Sequence, residues 1–169
     1  DLHSFPTRRS SDLRTFMHSP AGGACIDRAN GFYDTIKDYF EVVIELDGKG
    51  DTGVTLPLAE DVLQSTPDLK AFFCVNDPSA MGAVNALAAH PEMKDVLIYG
   101  VDGNPDAKKL ILDEKMTGTA AQSPETIGKE TIKAAYELLS GKEVEKNIVV
   151  DTFLITKKNV EEYGTDGWQ

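Results

Sequence analysis

Cysteine is scarce in this chain: of 169 residues only Cys25 and Cys74 carry a thiol. They show no CxxC spacing, and no histidine stands where it would complete a metal site, so a thiolate zinc centre has no ligands to draw on. Both read as buried thiols, and neither a disulfide nor a redox compartment follows from them. Long apolar runs are missing too. The longest, such as Phe72-Phe73-Cys74-Val75 and Val42-Val43-Ile44, fall far short of the roughly 20 residues that cross a bilayer. Positive charge is the third shortage: 17 basic residues against 28 acidic ones give a formal charge of −11, with neither sign gathered into a block of five. A surface of that kind offers no broad phosphate-binding face, which argues against nucleic acid as a partner.

What is present is the composition of an ordinary α/β protein, 41% hydrophobic and 27% charged, long enough to bury a core. Residues 1–13, DLHSFPTRRSSDL, stand apart: they are polar, carry no apolar period and lack the apolar centre of a targeting signal. The string resembles one reading frame of a short-read sequencing adapter. It is expected to be disordered, with the authentic chain running upstream of Arg14, and fold reasoning starts there.

From Arg14 on, short β-branched and aromatic runs alternate with stretches of helical period. Strands are predicted at Thr15 to Ser19, Val42 to Leu46, Ala71 to Val75, Val96 to Val101, Gly118 to Ala121 and Ile148 to Ile155, and helices at about 24–38, 55–65, 78–89, 105–113 and 124–140. Asp77-Pro78, Asn104-Pro105 and Ser123-Pro124 each put a capping residue ahead of a proline at the first helical position. Continuous apolar strands in β-α alternation predict a doubly wound parallel sheet with helices on both faces. Ligands of such sheets bind beyond the carboxyl ends of the strands. The residues there are small or polar: Pro20 to Gly23, Asp47 to Asp51, Asn76-Asp77, Asp102-Gly103 and Gln122.

An enzyme would need a nucleophile with its base, a metal cluster or a phosphate cradle. His3 lies in the excluded segment, His18 in a strand, and His90 before a proline at a helix end, so none has a convincing carboxylate partner. Gly48-Lys49-Gly50 lacks the spacing of a phosphate loop and reads as a turn. The strand ends instead offer the amide of Asn76, the carboxylate of Asp102 and the amide of Gln122, donors and acceptors suited to vicinal hydroxyls. Here Asp77 is taken as the helix cap, which leaves Asn76 free to face a ligand. Turn formation at Asp102-Gly103 and a solvated strand end at Gln122 are the competing readings.

The stretches PDLKAFFCVNDPSAMGAVNAL, VLIYGVDGNPDAKKLI and GTAAQSPETIGKETIKAAYELLSGK resemble type I periplasmic binding proteins of the ribose-binding group. The ordered set ND-x4-GA, G-x-DG-x-PD and AQ-x-P-x-x-IG carries the likeness across nearly all of Arg14 to Gln169. The resemblance implies two lobes of one fold that close on a sugar without catalysis or cofactor. It puts Asn76, Asp102 and Gln122 in contact with a monosaccharide or similar polyol. Residues 14–121 would form the C-terminal lobe, 122–150 would belong to the other lobe, and 151–169 would return. The partner it implies is the permease of an ABC importer, and the location is periplasmic or tethered outside the membrane, as a monomer and with no membrane insertion by this stretch. Ile26 stands where many ribose binders carry an arginine and Gly50 where they stack an aromatic ring, which moves the expectation from ribose to the general class. Arg28 matches the family's second arginine and is read as a structural helix residue.

Ile127, Thr131, Ala134, Ala135 and Leu138 share one face of the last long helix, whose partner would be the other lobe, so that helix is expected to protrude. The alternative is the effector domain of a LacI-type transcription regulator, which shares fold and cleft; AQSPETIG and the YGTDGWQ ending favour the transport receptors. A nucleotide-binding α/β enzyme would have only Pro20 to Ala24 for its phosphate loop.

Overall fold

Strands and helices alternate as the sequence pattern requires in a computed structural model that describes residues 13–17 and 22–169. In chain order they are β1 (Leu13–Met17), α1 (Gly23–Ile36), β2 (Val42–Asp47), α2 (Thr52–Ser65), β3 (Ala71–Cys74), α3 (Asp77–Leu87), β4 (Leu97–Asp102), α4 (Pro105–Leu112), β5 (Gly118–Ala121), α5 (Pro124–Leu139), β6 (Phe153–Thr156) and α6 (Val160–Tyr163), with one 3-10 turn at Pro91–Met93. The strands form one sheet in the order β2-β1-β3-β4-β5-β6. Its first five strands are mutually parallel, and β6 runs antiparallel to β5. The sheet is therefore mixed rather than wholly parallel, because the chain comes back from α5 to the same end of the sheet at which β5 finishes and enters β6 in the reverse direction.

Two expected strand starts move by two residues or more. β1 begins at Leu13, inside the segment set aside as foreign, while residues 1–12 and 18–21, including His18, lie outside the described residues. The last strand starts at Phe153, not Ile148: Ile148 to Val150 are irregular, and Val149 is exposed. Three adjacent β-branched residues made that stretch look like a strand, but it has no neighbouring strand to pair with.

Side chains alternate across β3, so Phe72 and Cys74 face one layer while Phe73 and Val75 face the other. The larger layer packs Phe72, Cys74 and Ile98 beneath Ala59, Val62 and Leu63 of α2, Ala80 and Ala83 of α3, Ile111 of α4 and Val160 of α6. The opposite layer is built on α1, where Ala29 and Phe32 cover Phe73, Val75 and Val101. Phe32 and Phe73 lie stacked with ring centroids 3.8 Å apart. Gly82, the glycine of the ND-x4-GA motif, lets α2 and α3 approach closely: a Cβ there would sit 2.8 Å from the Thr52 carbonyl oxygen.

α5 differs from the other long helices because none of its sixteen residues is buried. Ile127, Ile132, Tyr136, Leu138 and Leu139 are exposed, Leu139 to 84%. Its start is well specified, with Ser123 capping the amide of Thr126 and Pro124 at the first position. Cys25 and Cys74 are both free thiols.

Candidate functional site

The parallel register sets the three expected residues at one end of the sheet. Phe73 of β3 lies beside Tyr99 of β4, so the chain brings Asn76 level with Asp102 three residues later; Asp102 in turn pairs with Ala121, the residue before Gln122. Asp102 and Gln122 are in direct contact: Gln122 Nε2 donates to Asp102 Oδ1 at 2.6 Å. Asn76 stands beside them without a direct bond to either.

Asn76, not Asp77, is the helix cap. Its Oδ1 accepts the Ser79 amide at 3.1 Å, and its Nδ2 donates to the Gly50 carbonyl at 3.2 Å. The expectation that Asp77 caps and Asn76 stays free is therefore corrected by one position. DP and NDP look alike to a capping rule, and extended backbone at Asn76 (φ −150°) decides which residue precedes the helix. Asn76 remains half-buried at the strand tip, with hydrogen-bonding capacity beyond the cap.

Asp77 is fully buried. Its Oδ2 accepts the Asn104 amide at 2.8 Å, and its Oδ1 accepts the Thr119 hydroxyl at 2.6 Å. Gly100, the first glycine of G-x-DG-x-PD, makes the room, since a Cβ there would overlap Asp77 Oδ1. Burial raises the carboxyl pKa to about 7 against the opposing pull of the Thr119, Asn104 and Gly103 hydrogen bonds. A folded-state value above the ordinary 3.8 means that the native protein holds a proton the unfolded chain has released. Stability from this group is thus present below about pH 4 and lost as pH rises to about 7. Urea denaturation between those limits should show that slope, and Asp77→Asn should remove it.

Arg28, read from the sequence as a structural helix residue, reaches the strand tips from α1. Its Nη1 donates to the Val75 carbonyl at 2.9 Å and lies 3.3 Å from Asp102 Oδ1, so a helix residue of α1 joins the tips of β3 and β4. The one available signal was its position in the early turns of a helix that begins at the carboxyl end of the parallel strands. Burial raises the Asp102 pKa, while Arg28 and the Gln122 hydrogen bond pull it the other way. Asp102 also adopts φ 132°, unusual for a residue with a side chain, and Gly103 follows at φ 75°. Strain of this kind persists only where neighbours hold it.

Lys49 and Gly50 have positive φ, in keeping with a turn. His90 does have a carboxylate neighbour, Glu92 at 3.1 Å, but the pair is exposed and lies before β4, away from the strand tips. Among the described residues no group of three or more histidine, cysteine, aspartate or glutamate side chains could hold a metal ion. No described helix is long and apolar enough to cross a membrane.

A family model described as "Periplasmic binding protein domain" matches residues 10–143. The ribose import binding protein of Bacillus subtilis is 38% identical over 139 residues, which cover 82% of this chain and 45% of that protein. The D-allose-binding periplasmic protein of Escherichia coli is 33% identical over 138 residues, covering 77% of this chain and 44% of that one. Among solved structures, an ABC transporter solute binding protein from Bacillus halodurans with bound myo-inositol superposes with a TM-score of 0.83 at 29% identity, over 91% of this chain and 54% of its own. The chain thus spans about half the length of the relatives it matches.

Proposed function

Because the chain belongs to the periplasmic binding protein domain family, we propose that it supplies one lobe of a sugar receptor serving an ABC importer. In this reading Asn76, Asp102 and Gln122, joined by Arg28, bind a monosaccharide or similar polyol, and no bond is made or broken. The relatives named for ribose, D-allose and myo-inositol binding support the ligand class.

The observation that carries the reading is the Asp102 carboxylate. It is held at the sheet end by Arg28 and Gln122, which occupy only part of its roughly four acceptor sites. A half-buried carboxylate with spare acceptors beside an amide and a guanidinium matches a ring of hydroxyls, each of which must both donate and accept. Residues 122–150 belong, in the same reading, to the other lobe. The wholly unburied α5 supports that assignment, since an amphipathic helix in a complete protein packs its apolar stripe.

Calorimetry with D-ribose, D-allose and myo-inositol tests both parts. The intact two-lobed protein should bind at least one of the three, and residues 14–169 alone should give little heat, for lack of half the contacts and the closure that excludes water. Tight binding by residues 14–169 would overturn the two-lobe assignment; an intact protein indifferent to all three would overturn the receptor reading.

A further inference from the structure

Asp77 touches neither solvent nor, in the reading above, the sugar, yet both of its carboxylate oxygens are engaged beside the site. Through Oδ2 it holds the amide of Asn104 directly. Through Oδ1 it accepts the hydroxyl of Thr119, whose Oγ1 in turn accepts the Gly103 amide at 3.1 Å. The two backbone amides that follow Asp102 are thereby anchored to one carboxyl group, across three neighbouring strands. Asp102 needs such an anchor, because its φ of 132° is a conformation that a side-chain-bearing residue leaves unless its surroundings hold it.

We propose that Asp77 is the positioning residue for Asp102: with Thr119 it clamps the Asp102-Gly103-Asn104 turn in the conformation that presents the Asp102 carboxylate to a ligand. This inference rests on the sugar-binding reading of Asp102. The clamp depends on the direction of its hydrogen bonds. Ionised Asp77 accepts from both Thr119 and Asn104, and both bonds are charge-assisted. Once protonated on Oδ1, the acid donates to Thr119 Oγ1, and the hydroxyl hydrogen of Thr119 loses its acceptor.

The groups facing Asp77 come from every element packed against it. From β3, Cys74 is fully buried, and burial together with the charge of Asp77 pushes its thiol pKa up. From β4, Asp102 is the nearby charge, and Arg28 of α1 pairs with it. From β5 comes the neutral Thr119, and from the turn into α4 come backbone amides. With the carboxyl of Asp77 raised to about 7, the clamp weakens on mild acidification.

The experiment uses the intact two-lobed protein and two readouts. The first is the amide nitrogen and proton shifts of Gly103 and Asn104 between pH 5 and 9, without sugar. They should titrate together near the Asp77 midpoint in the wild type and stay flat in Asp77→Asn. The second is calorimetric affinity for whichever of D-ribose, D-allose and myo-inositol binds. It should drop about fivefold from pH 8 to pH 6 in the wild type, a modest coupling between two sites, and be equal at the two pH values in Asp77→Asn. Thr119→Val, which keeps the shape and removes the hydroxyl, should bind about tenfold more weakly. Thr119→Ser should restore binding to within about twofold of the wild type. A purely structural threonine would not give that pair of results together with a pH profile. Flat wild-type amide shifts, or wild-type affinity in Thr119→Val, would overturn the proposal. If no sugar binds, the receptor reading fails with it, while the amide titration still decides whether Asp77 controls the turn.

Discussion

On the proposed sugar-binding reading, replacing Asp102 with alanine in the intact protein should lower sugar affinity by about 100-fold or more, as read by calorimetry. A hydrogen bond to a charged group contributes roughly 1.5–3 kcal/mol, and a carboxylate with spare acceptors would make two to a sugar, so about 3–6 kcal/mol is at stake. The substitution also strands Arg28, whose guanidinium lies 3.3 Å from Asp102, and removes the acceptor of Gln122. Both donors would then compete for the ligand's oxygens or turn to solvent. Thermal unfolding should move little by comparison, because the side chain leaves a partly exposed site and not the core. An affinity loss below about tenfold would mean that the carboxylate serves the fold and that the ligand sits elsewhere.

Gly103→Ala should cost about 3 kcal/mol of folding stability, measured by urea denaturation. Two effects add. At φ 75° an added Cβ carries a backbone penalty of roughly 1 kcal/mol. The same Cβ would stand 2.5 Å from the Ala121 Cβ and 2.9 Å from its Cα, so β4 and β5 would have to part. Overpacking of that kind costs about 1–3 kcal/mol. Because β5 carries both Thr119 and the approach to Gln122, the variant should lose sugar affinity as well. A variant as stable as the wild type would show that the turn relaxes without disturbing β5.

The sheet was legible because its strands are short, apolar and bounded by turn formers; β3 and β5 end within a residue of where their sequence patterns place them. The meeting of Asp102 and Gln122 at one end of the sheet was legible for a related reason. The rule that ligands gather beyond parallel strands turns a position in the chain into a position in space. Capping was harder. Both Asn76 and Asp77 can cap, and only the backbone angle at Asn76, together with the space that Gly100 leaves for a buried carboxyl, separates their roles. The contacts of Arg28 were hidden because its two partners, Val75 and Asp102, lie 47 and 74 positions away, beyond the reach of any local pattern. The reversal of β6 was hidden as well: nothing in Phe153–Thr156 states which way it runs, and the direction follows from where α5 leaves the chain.

α5 has its cap, its opening proline and the Glu125–Lys129 ion pair one turn apart, but no fully buried side chain. Local signals of this size only just sustain a solitary helix. In residues 14–169 alone, α5 should therefore be the long helix that unwinds first, on a free-energy rung well below that of the sheet, and hydrogen exchange should find its amides trading with solvent while those of β3 are still locked.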